Sequence, residues 1–174
     1  MKIKNITANG ILLALALALS FLESFIPPIP FLPPNAKMGL ANVVVMYSVF
    51  FAGYPSALNV TLLKALFVLI TRGAAAGLLS LSGGLMSLAV IILIKIAAGD
   101  RATYITISIS GAIAHNMGQI FAASLLMGSF AAVGYLPFSV ITGIVFGILT
   151  GGVLRAAIPA MRRLENNDHT QGNG

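Results

Sequence analysis

The sequence predicts an all-α integral membrane protein, a bundle of about six transmembrane helices, and three observations lead to that prediction. Of its 174 residues, 58% are hydrophobic and only 8% are charged, and the mean hydropathy is +0.99. A soluble domain carries roughly 25% charged residues, so most of this surface cannot face water. The apolar residues form long runs, as membrane-spanning helices do. Most of the charged residues lie between these runs or at their ends.

Six apolar runs are candidate spans, although a count of five stays possible. They cover residues 6–26, 39–53, 55–71, 83–99, 104–130 and 135–158. The second, third and fourth are shorter than the ~20 residues that usually cross a bilayer, so 39–53 and 83–99 need not span it fully. We expect a single transmembrane domain over residues 1–160, with its first run retained because no small-residue cleavage site follows it. Residues 161–174 are polar, and we expect them to form a disordered cytoplasmic tail.

The basic residues predict the orientation in the cell membrane. With six spans, seven of them fall on the side of the two termini: Lys2, Lys4, Lys95, Arg101, Arg155, Arg162 and Arg163. Only Lys37 and Arg72 lie towards the opposite face. Cytoplasmic loops carry an excess of Lys and Arg, so we expect both termini to be cytoplasmic in a multi-pass plasma-membrane protein.

Two connections on the expected outer side differ from ordinary loops. Residues 23–37 hold five of the eight prolines, which predicts a stiff, extended loop. Residues 72–84, "RGAAAGLLSLSGG", are small and glycine-rich, which predicts a partly re-entrant segment with the fourth span starting after Gly84. Irregular backbone at that depth persists only where protein buries it or where it lines a cavity.

Lys64 lies nine residues inside the third run, and its charge is the most informative feature of that run. A charged side chain in a bilayer costs at least ~2.5–3.5 kcal/mol, so it usually points inward and serves function. On a helix, Lys64 shares a stripe with Thr61, Val68 and Thr71, and Arg72 lies beside its outer end. The alternative is a lysine whose ammonium reaches the membrane interface along its apolar stem.

The fifth run, "SGAIAHNMGQIFAASLLMG" over residues 110–128, carries His115, Asn116 and Gln119 within five positions. These groups either hydrogen-bond neighbouring helices, typically worth about 0.6 kcal/mol per pair, or face a ligand. Three long polar side chains so close together exceed what helix packing requires. We therefore favour a pocket open to the outside, while helix–helix hydrogen bonding stays the alternative.

Polar side chains from several segments are expected at a similar depth and form the candidate substrate-binding site. Three of them are cations and one is a carboxylate, which suits an anionic ligand such as a phosphate or diphosphate. The candidates are Glu23, Lys37, Asn42, Lys64, Arg72, His115, Asn116 and Gln119. In this hypothesis the cations pair with the anion, the amides and the histidine hydrogen-bond polar groups, and the carboxylate orients a lysine or a ligand donor.

Several function classes are disfavoured. Outside the tail the only carboxylates are Glu23 and Asp100, expected on opposite faces, so the clustered carboxylates that Mg²⁺ chemistry on diphosphates needs are missing. There is no cysteine, and His115 has no metal-ligating partners in the pattern. We therefore expect no enzyme, no metal and no bound cofactor. No basic patch interleaved with aromatic residues occurs, so we expect no nucleic-acid partner.

The first run carries small residues at every fourth position, Gly10, Ala14 and Ala18. Such a strip lets a second helix pack closely, either from a partner subunit or from within the chain. Glu23 lies about 140° around the helical wheel from Ala18. One face of this helix could therefore dock a partner while another serves the pocket.

These residues resemble a known family. The segment "FIPPIPFLPPNAKMGLANVVVMYSVFFAG", the Lys64 segment, "SLSGGLMSL" and "GAIAHNMGQ" look like the Gx transporters, also called heptaprenyl diphosphate synthase component I. The resemblance covers roughly residues 8–158. That family is similar in size and topology to the S-components of energy-coupling factor transporters, six-helix bundles whose first helix uses an AxxxA strip to contact a transmembrane coupling subunit. Ala14 and Ala18 match that strip.

The resemblance implies a substrate-binding subunit for uptake of a cofactor-like small molecule, such as a flavin or an isoprenoid or quinone precursor. Separate coupling and ATPase subunits would supply the energy, and this chain has no G-x-x-x-x-G-K-[ST] loop of its own. The second family description implies instead a non-catalytic membrane component of heptaprenyl diphosphate synthase in menaquinone biosynthesis. A third possibility is a structural membrane subunit without a ligand.

Overall fold

A computed structural model describes the backbone of residues 3–27, 37 and 39–171, and the side chains of residues 7, 9–27, 37, 39–99 and 101–156. The described residues form six α-helices and no strand. The helices are α1 (Ile3–Ser24), α2 (Asn42–Tyr47), α3 (Tyr54–Arg72), α4 (Ala74–Ala98), α5 (Tyr104–Met127) and α6 (Leu136–Gln171). A π-helix (Ser48–Ala52) continues α2, and 3₁₀ turns precede α5 (Gly99–Arg101) and α6 (Phe130–Tyr135). The predicted all-α bundle is confirmed.

The helices pack as neighbours along the chain. Helix α4 lies between α3 and α5, α5 lies against α6, and α1 packs on α3 and α2. Three described segments are long and apolar enough to cross a membrane by length and composition: Tyr54–Arg72, Ala74–Ala98 and Phe130–Ala156. The chain is thus a multi-pass membrane protein. The proline loop predicted over 23–37 falls largely outside the described residues, and the domain boundary at 160 stays a prediction.

Helix α2 occupies the centre of the bundle and is too short to cross a bilayer. With its π-helical extension it covers residues 42–52, about 16 Å at the helical rise, against a hydrocarbon core about 30 Å thick. Val44, Val45, Met46 and Val49 are at most 2% exposed and form much of the core. The run predicted over 39–53 therefore exists as a short, largely buried helix, whose last residues, Phe51 and Ala52, are exposed.

The prediction of a re-entrant segment over residues 72–84 is wrong. Only Gly73, at φ +89°, interrupts the chain, and α4 is helical from Ala74 onwards. Gly83 and Gly84 lie inside this helix. A Cβ on Gly83 would stand 2.8 Å from the His115 ring, and one on Gly84 would stand 2.7 Å from Thr61 Cγ2. These glycines serve close packing of α4 against α5 and α3 rather than an irregular backbone.

A second set of glycines sets the distance between α5 and α6. Gly143, Gly147 and Gly151 recur every fourth residue on α6, so they share one face. A Cβ on the middle glycine would stand 2.5 Å from the Cα of Ile109. A Cβ on Gly143 would stand 3.0 Å from the Cα of Ile113, and a Cβ on Gly151 would stand 2.9 Å from the Cα of Ile105. The small residues let the two backbones touch, which places α5 and its polar side chains firmly in the bundle.

Candidate functional site

A cavity lies at the end of the bundle where α1 and α3 finish and α4 begins. Its lining side chains come from α1, from the segment before α2, and from α3, α4 and α5. They are Ser20, Glu23, Lys37, Gly39, Lys64, Val68, Arg72, Ala76, Ser80, His115 and Gln119. Six of the eight candidate binding residues lie together here.

Helix α3 provides the cationic wall of the cavity. Lys64, Val68 and Arg72 follow one another at intervals of four residues, so they share one face. The Lys64 side chain is 3% exposed, and its Nζ donates to Asn42 Oδ1 at 3.2 Å. Lys64 lies eight residues before the end of α3, about 12 Å from it. A lysine reaching the interface would be exposed, so the structure does not favour that interpretation.

Glu23 and Lys37 tie the segment before α2 to the end of α1. Glu23, 4% exposed, accepts a hydrogen bond from the backbone N–H of Leu40 at 2.7 Å, and Lys37 Nζ donates to the carbonyl of Ile26 at 2.7 Å. Burial and the nearby Arg72 guanidinium lower the pKa of Lys37, while the Glu23 carboxylate opposes that shift. Glu23 also interacts electrostatically with the α3 cations, so the carboxylate lies within their field.

His115 and Gln119 lie one helical turn apart on α5 and face the cavity. They are 3% and 4% exposed, and Gln119 Nε2 donates to His115 Nε2 at 3.1 Å. Neither Nδ1, which faces Gly83, nor Gln119 Oε1 has a partner in hydrogen-bonding geometry. A buried acceptor without a partner costs about 1–3 kcal/mol, so Gln119 Oε1 marks a place where a ligand or water would be stabilised.

The structure does not bring Asn116 to this group. Its Nδ2 donates to the carbonyl of Ser139 at 2.7 Å and to Thr142 Oγ1 at 3.2 Å, both on α6. Successive residues of a helix point about 100° apart, so Asn116 faces a different neighbour from His115. Asn116 therefore hydrogen-bonds a neighbouring helix, which was the alternative interpretation of the polar residues on α5.

Asn42 does not line this cavity but contacts the site through Lys64. Besides binding Lys64, it lines a second, smaller cavity between α2, α4, α5 and α6. Gly39, at φ +80°, lines both cavities, and a Cβ there would stand 2.7 Å from Asn42 Nδ2 and 3.2 Å from His115 Cδ2. The glycine therefore lets the chain lie directly on the histidine ring.

Both cavities are small. Their volumes are about 20 and 10 Å³, on the scale of one water molecule each. A cofactor-sized molecule does not fit this space, which is bordered by the segment that contains Lys37 and Gly39. Two hydrogen bonds and the Gly39 contact hold that segment in place.

Five lining residues were missed by the sequence reasoning: Ser20, Gly39, Val68 (noted only as part of the Lys64 stripe), Ala76 and Ser80. Ser20 precedes Glu23 by one turn, so helical spacing could have revealed it. Ala76 and Ser80 are also one turn apart, but residues 72–84 were interpreted as irregular and no face was assigned to them. Among the described residues no three His, Asp or Glu side chains group as a metal site would require.

The strip on α1 lies on the outside of the described bundle. A Cβ on Gly10 would meet nothing within 4 Å, and Ala14 and Ala18 are exposed. The opposite face of the helix is covered, since Leu12 and Ala16 are buried at 8% and 0% exposure. The strip is thus accessible to another helix.

Comparison with known proteins agrees with this architecture. The chain is similar to a solved structure described as the S component of a bacterial ECF transporter, with 25% sequence identity and a TM-score of 0.62. The match covers 92% of this chain and 96% of that chain. Fold and composition thus define an all-helical membrane protein with the S-component fold.

The family follows from the sequence match. The model of the family described as heptaprenyl diphosphate synthase component I matches residues 12–157, and the chain belongs to that family. No curated protein matches the sequence.

Proposed function

We propose that this chain is the substrate-binding membrane subunit of an energy-coupling factor type transporter that takes up an anionic, cofactor-like small molecule. Flavins and isoprenoid or quinone precursors are the expected substrate classes. The observation that carries the proposal is Lys64, a buried cation that lies eight residues before the end of α3 and faces a cavity. The similarity to the S component of a bacterial ECF transporter supports the same class of protein.

The charge balance of the cavity favours an anion. Three cations, Lys37, Lys64 and Arg72, face a single carboxylate, Glu23. A charge within a bilayer is costly, and a bound anion would offset that cost through charge-assisted hydrogen bonds. The unpartnered Gln119 Oε1 would accept a hydrogen bond from the same ligand, so the substrate combines an anionic group with a donor.

Uptake against a gradient requires partners. This chain has no ATP-binding loop, so a separate coupling subunit and ATPase subunits would supply the energy. The exposed strip of Gly10, Ala14 and Ala18 is the surface we propose for the coupling subunit, because small residues allow close approach of a partner helix. In this role the chain itself catalyses no reaction.

Co-purification and native mass spectrometry test the proposal together. Full-length tagged protein purified in a mild detergent should carry a small anionic molecule, and the variant Lys64→Met should lose it. ATPase and coupling subunits should accompany the wild-type chain. A wild-type protein that carries no small molecule under these conditions, and binds none of the flavin or isoprenoid candidates when they are added, would contradict the proposal.

A second candidate rests on the family description. As a non-catalytic component of heptaprenyl diphosphate synthase, the chain would accompany a soluble prenyltransferase, and the cationic cavity would hold a diphosphate. The same purification distinguishes the two, since a prenyltransferase in place of ATPase subunits would favour this candidate.

A further inference from the structure

A void along the described helices is distinct from the polar cavity and larger than it. It is a groove of about 460 Å³ between α3 and α4, within the range of roughly 300–1,000 Å³ typical of ligand pockets. Its lining side chains are Tyr54, Pro55, Leu58, Leu85, Leu88, Ala89 and Ile92. No charged group lines it, and both helices are long and apolar enough to span a membrane. The groove is therefore open to the hydrocarbon of the bilayer.

A single cation lies at one end of this groove. On α4 the lining residues Leu85, Leu88 and Ile92 follow one helical stripe, and Lys95 continues that stripe by one more turn. Tyr54, the first residue of α3, lines the groove, and its ring centroid is 5.3 Å from Lys95 Nζ. Tyrosine and lysine at the ends of spanning helices are typical of the membrane–water interface. The groove thus runs from the hydrocarbon to a positive charge near the headgroup level.

Lys95 is held in place by a hydrogen bond and two aromatic rings, and it keeps further N–H donors for a ligand. Its Nζ donates to the carbonyl of Val49 at 2.8 Å, in the π-helix that ends the short α2 segment, and lies 4.8 Å from the centroid of Phe50. An ammonium group has three N–H donors, so one hydrogen bond does not exhaust it. The rings orient the charge, and its other donors can meet an anionic oxygen.

We propose that this groove binds an anionic phospholipid, with one of its acyl chains lying against Leu58 and Ala89 and its phosphate beside Lys95. A prenyl phosphate shares this chemistry and serves as the competitor in the test. Apolar contact alone would not select it, because lipid tails are as apolar as the groove walls. Selectivity for this lipid comes from the fit of one hydrocarbon chain and from the charge of Lys95 at the end of the groove.

The contact between the groove and the hydrocarbon chain of the lipid is tested by filling the groove with a larger side chain. Native mass spectrometry of the full-length protein, reconstituted with phosphatidylglycerol or with phosphatidylcholine of the same acyl chains, measures the lipid retained. Ala89→Phe should abolish retention, whereas Ala97→Phe, the same change on an exposed part of α4 outside the groove, should leave it unchanged. Equal retention in the two variants would overturn the proposal, as would a protein partner that only Ala89→Phe displaces.

The contact between the lipid phosphate and Lys95 is tested by changing the charge of the lipid and of the side chain. The wild-type protein should prefer phosphatidylglycerol to phosphatidylcholine, and Lys95→Gln should reduce that preference about fivefold while Lys95→Arg keeps it. If Lys95→Gln fails to fold for lack of the Val49 hydrogen bond, the wild-type preference should still fall at high salt, because salt screens the charge. Absence of any anionic preference in the wild type would overturn the proposal. A polyprenyl monophosphate added in competition at equal concentration should leave phosphatidylglycerol bound, and its displacement would overturn the assignment to a phospholipid.

Discussion

Replacing Lys64 by methionine should separate ligand binding from folding. The variant keeps the length and apolar stem of the side chain and removes the charge. If Lys64 pairs with an anion away from water, the loss is about 1.5–3 kcal/mol, which corresponds to roughly a 10- to 150-fold weaker affinity. The side chain is 3% exposed, so bulk water does little to replace the lost contact.

The same substitution should leave the fold nearly as stable as before. Removing an intramembrane charge relieves a cost of at least ~2.5–3.5 kcal/mol. Against this, Asn42 Oδ1 loses its donor and Glu23 loses a nearby positive charge, and an unpaired buried acceptor costs about 1–3 kcal/mol. The two effects are of similar size and opposite sign. The melting temperature should therefore change little.

Two comparison variants make the measurement decisive. Gln119→Leu removes a neutral hydrogen bond of about 1 kcal/mol, so affinity should fall only about fivefold. Asn116→Leu removes hydrogen bonds to α6 rather than to the cavity, so it should lower the melting temperature and leave affinity unchanged. Affinity for the co-purified ligand and the melting temperature are measured on all three variants. If Lys64→Met lowers the melting temperature while its affinity matches the wild type, the cavity is not an anion site.

Three further predictions concern assembly, topology and packing. Ala18→Leu should prevent co-purification of the coupling subunit and leave ligand binding intact; loss of both together would show that the strip packs within the chain. Cysteine placed at Asn35 should react with an impermeant reagent on intact cells while cysteine at Arg101 is protected, and the reverse pattern would invert the proposed orientation. Gly147→Ala should lower the free energy of unfolding by about 1–3 kcal/mol because its Cβ would stand 2.5 Å from the Ile109 backbone. Gly152→Ala, whose Cβ would meet nothing within 4 Å, is the matched control and should show no such loss.

The glycines mark the clearest limit of sequence reasoning. Gly83 and Gly84 were interpreted as a break in the backbone, yet they lie inside α4 against His115 and Thr61. Glycine permits both an irregular backbone and a close helix approach, so its presence alone does not choose between them. Which of the two roles a glycine has depends on whether a neighbouring helix lies within about 3 Å of the position that its Cβ would take. The glycine repeat on α6 could have been found from its spacing, but not the helix it touches.

The sequence by itself determined the helical membrane architecture and which residues share a helical face. A low charge fraction in long apolar runs requires helices in lipid. The 3.6-residue period places Lys64 on one stripe with Val68, and Arg72 beside the outer end of that stripe, without any tertiary information. It did not determine which neighbour each face meets. His115 and Asn116 are adjacent and equally polar, yet one faces the cavity and the other α6. That difference was decided only by the tertiary structure, because the period fixes an angle around one helix and packing alone decides what lies at that angle.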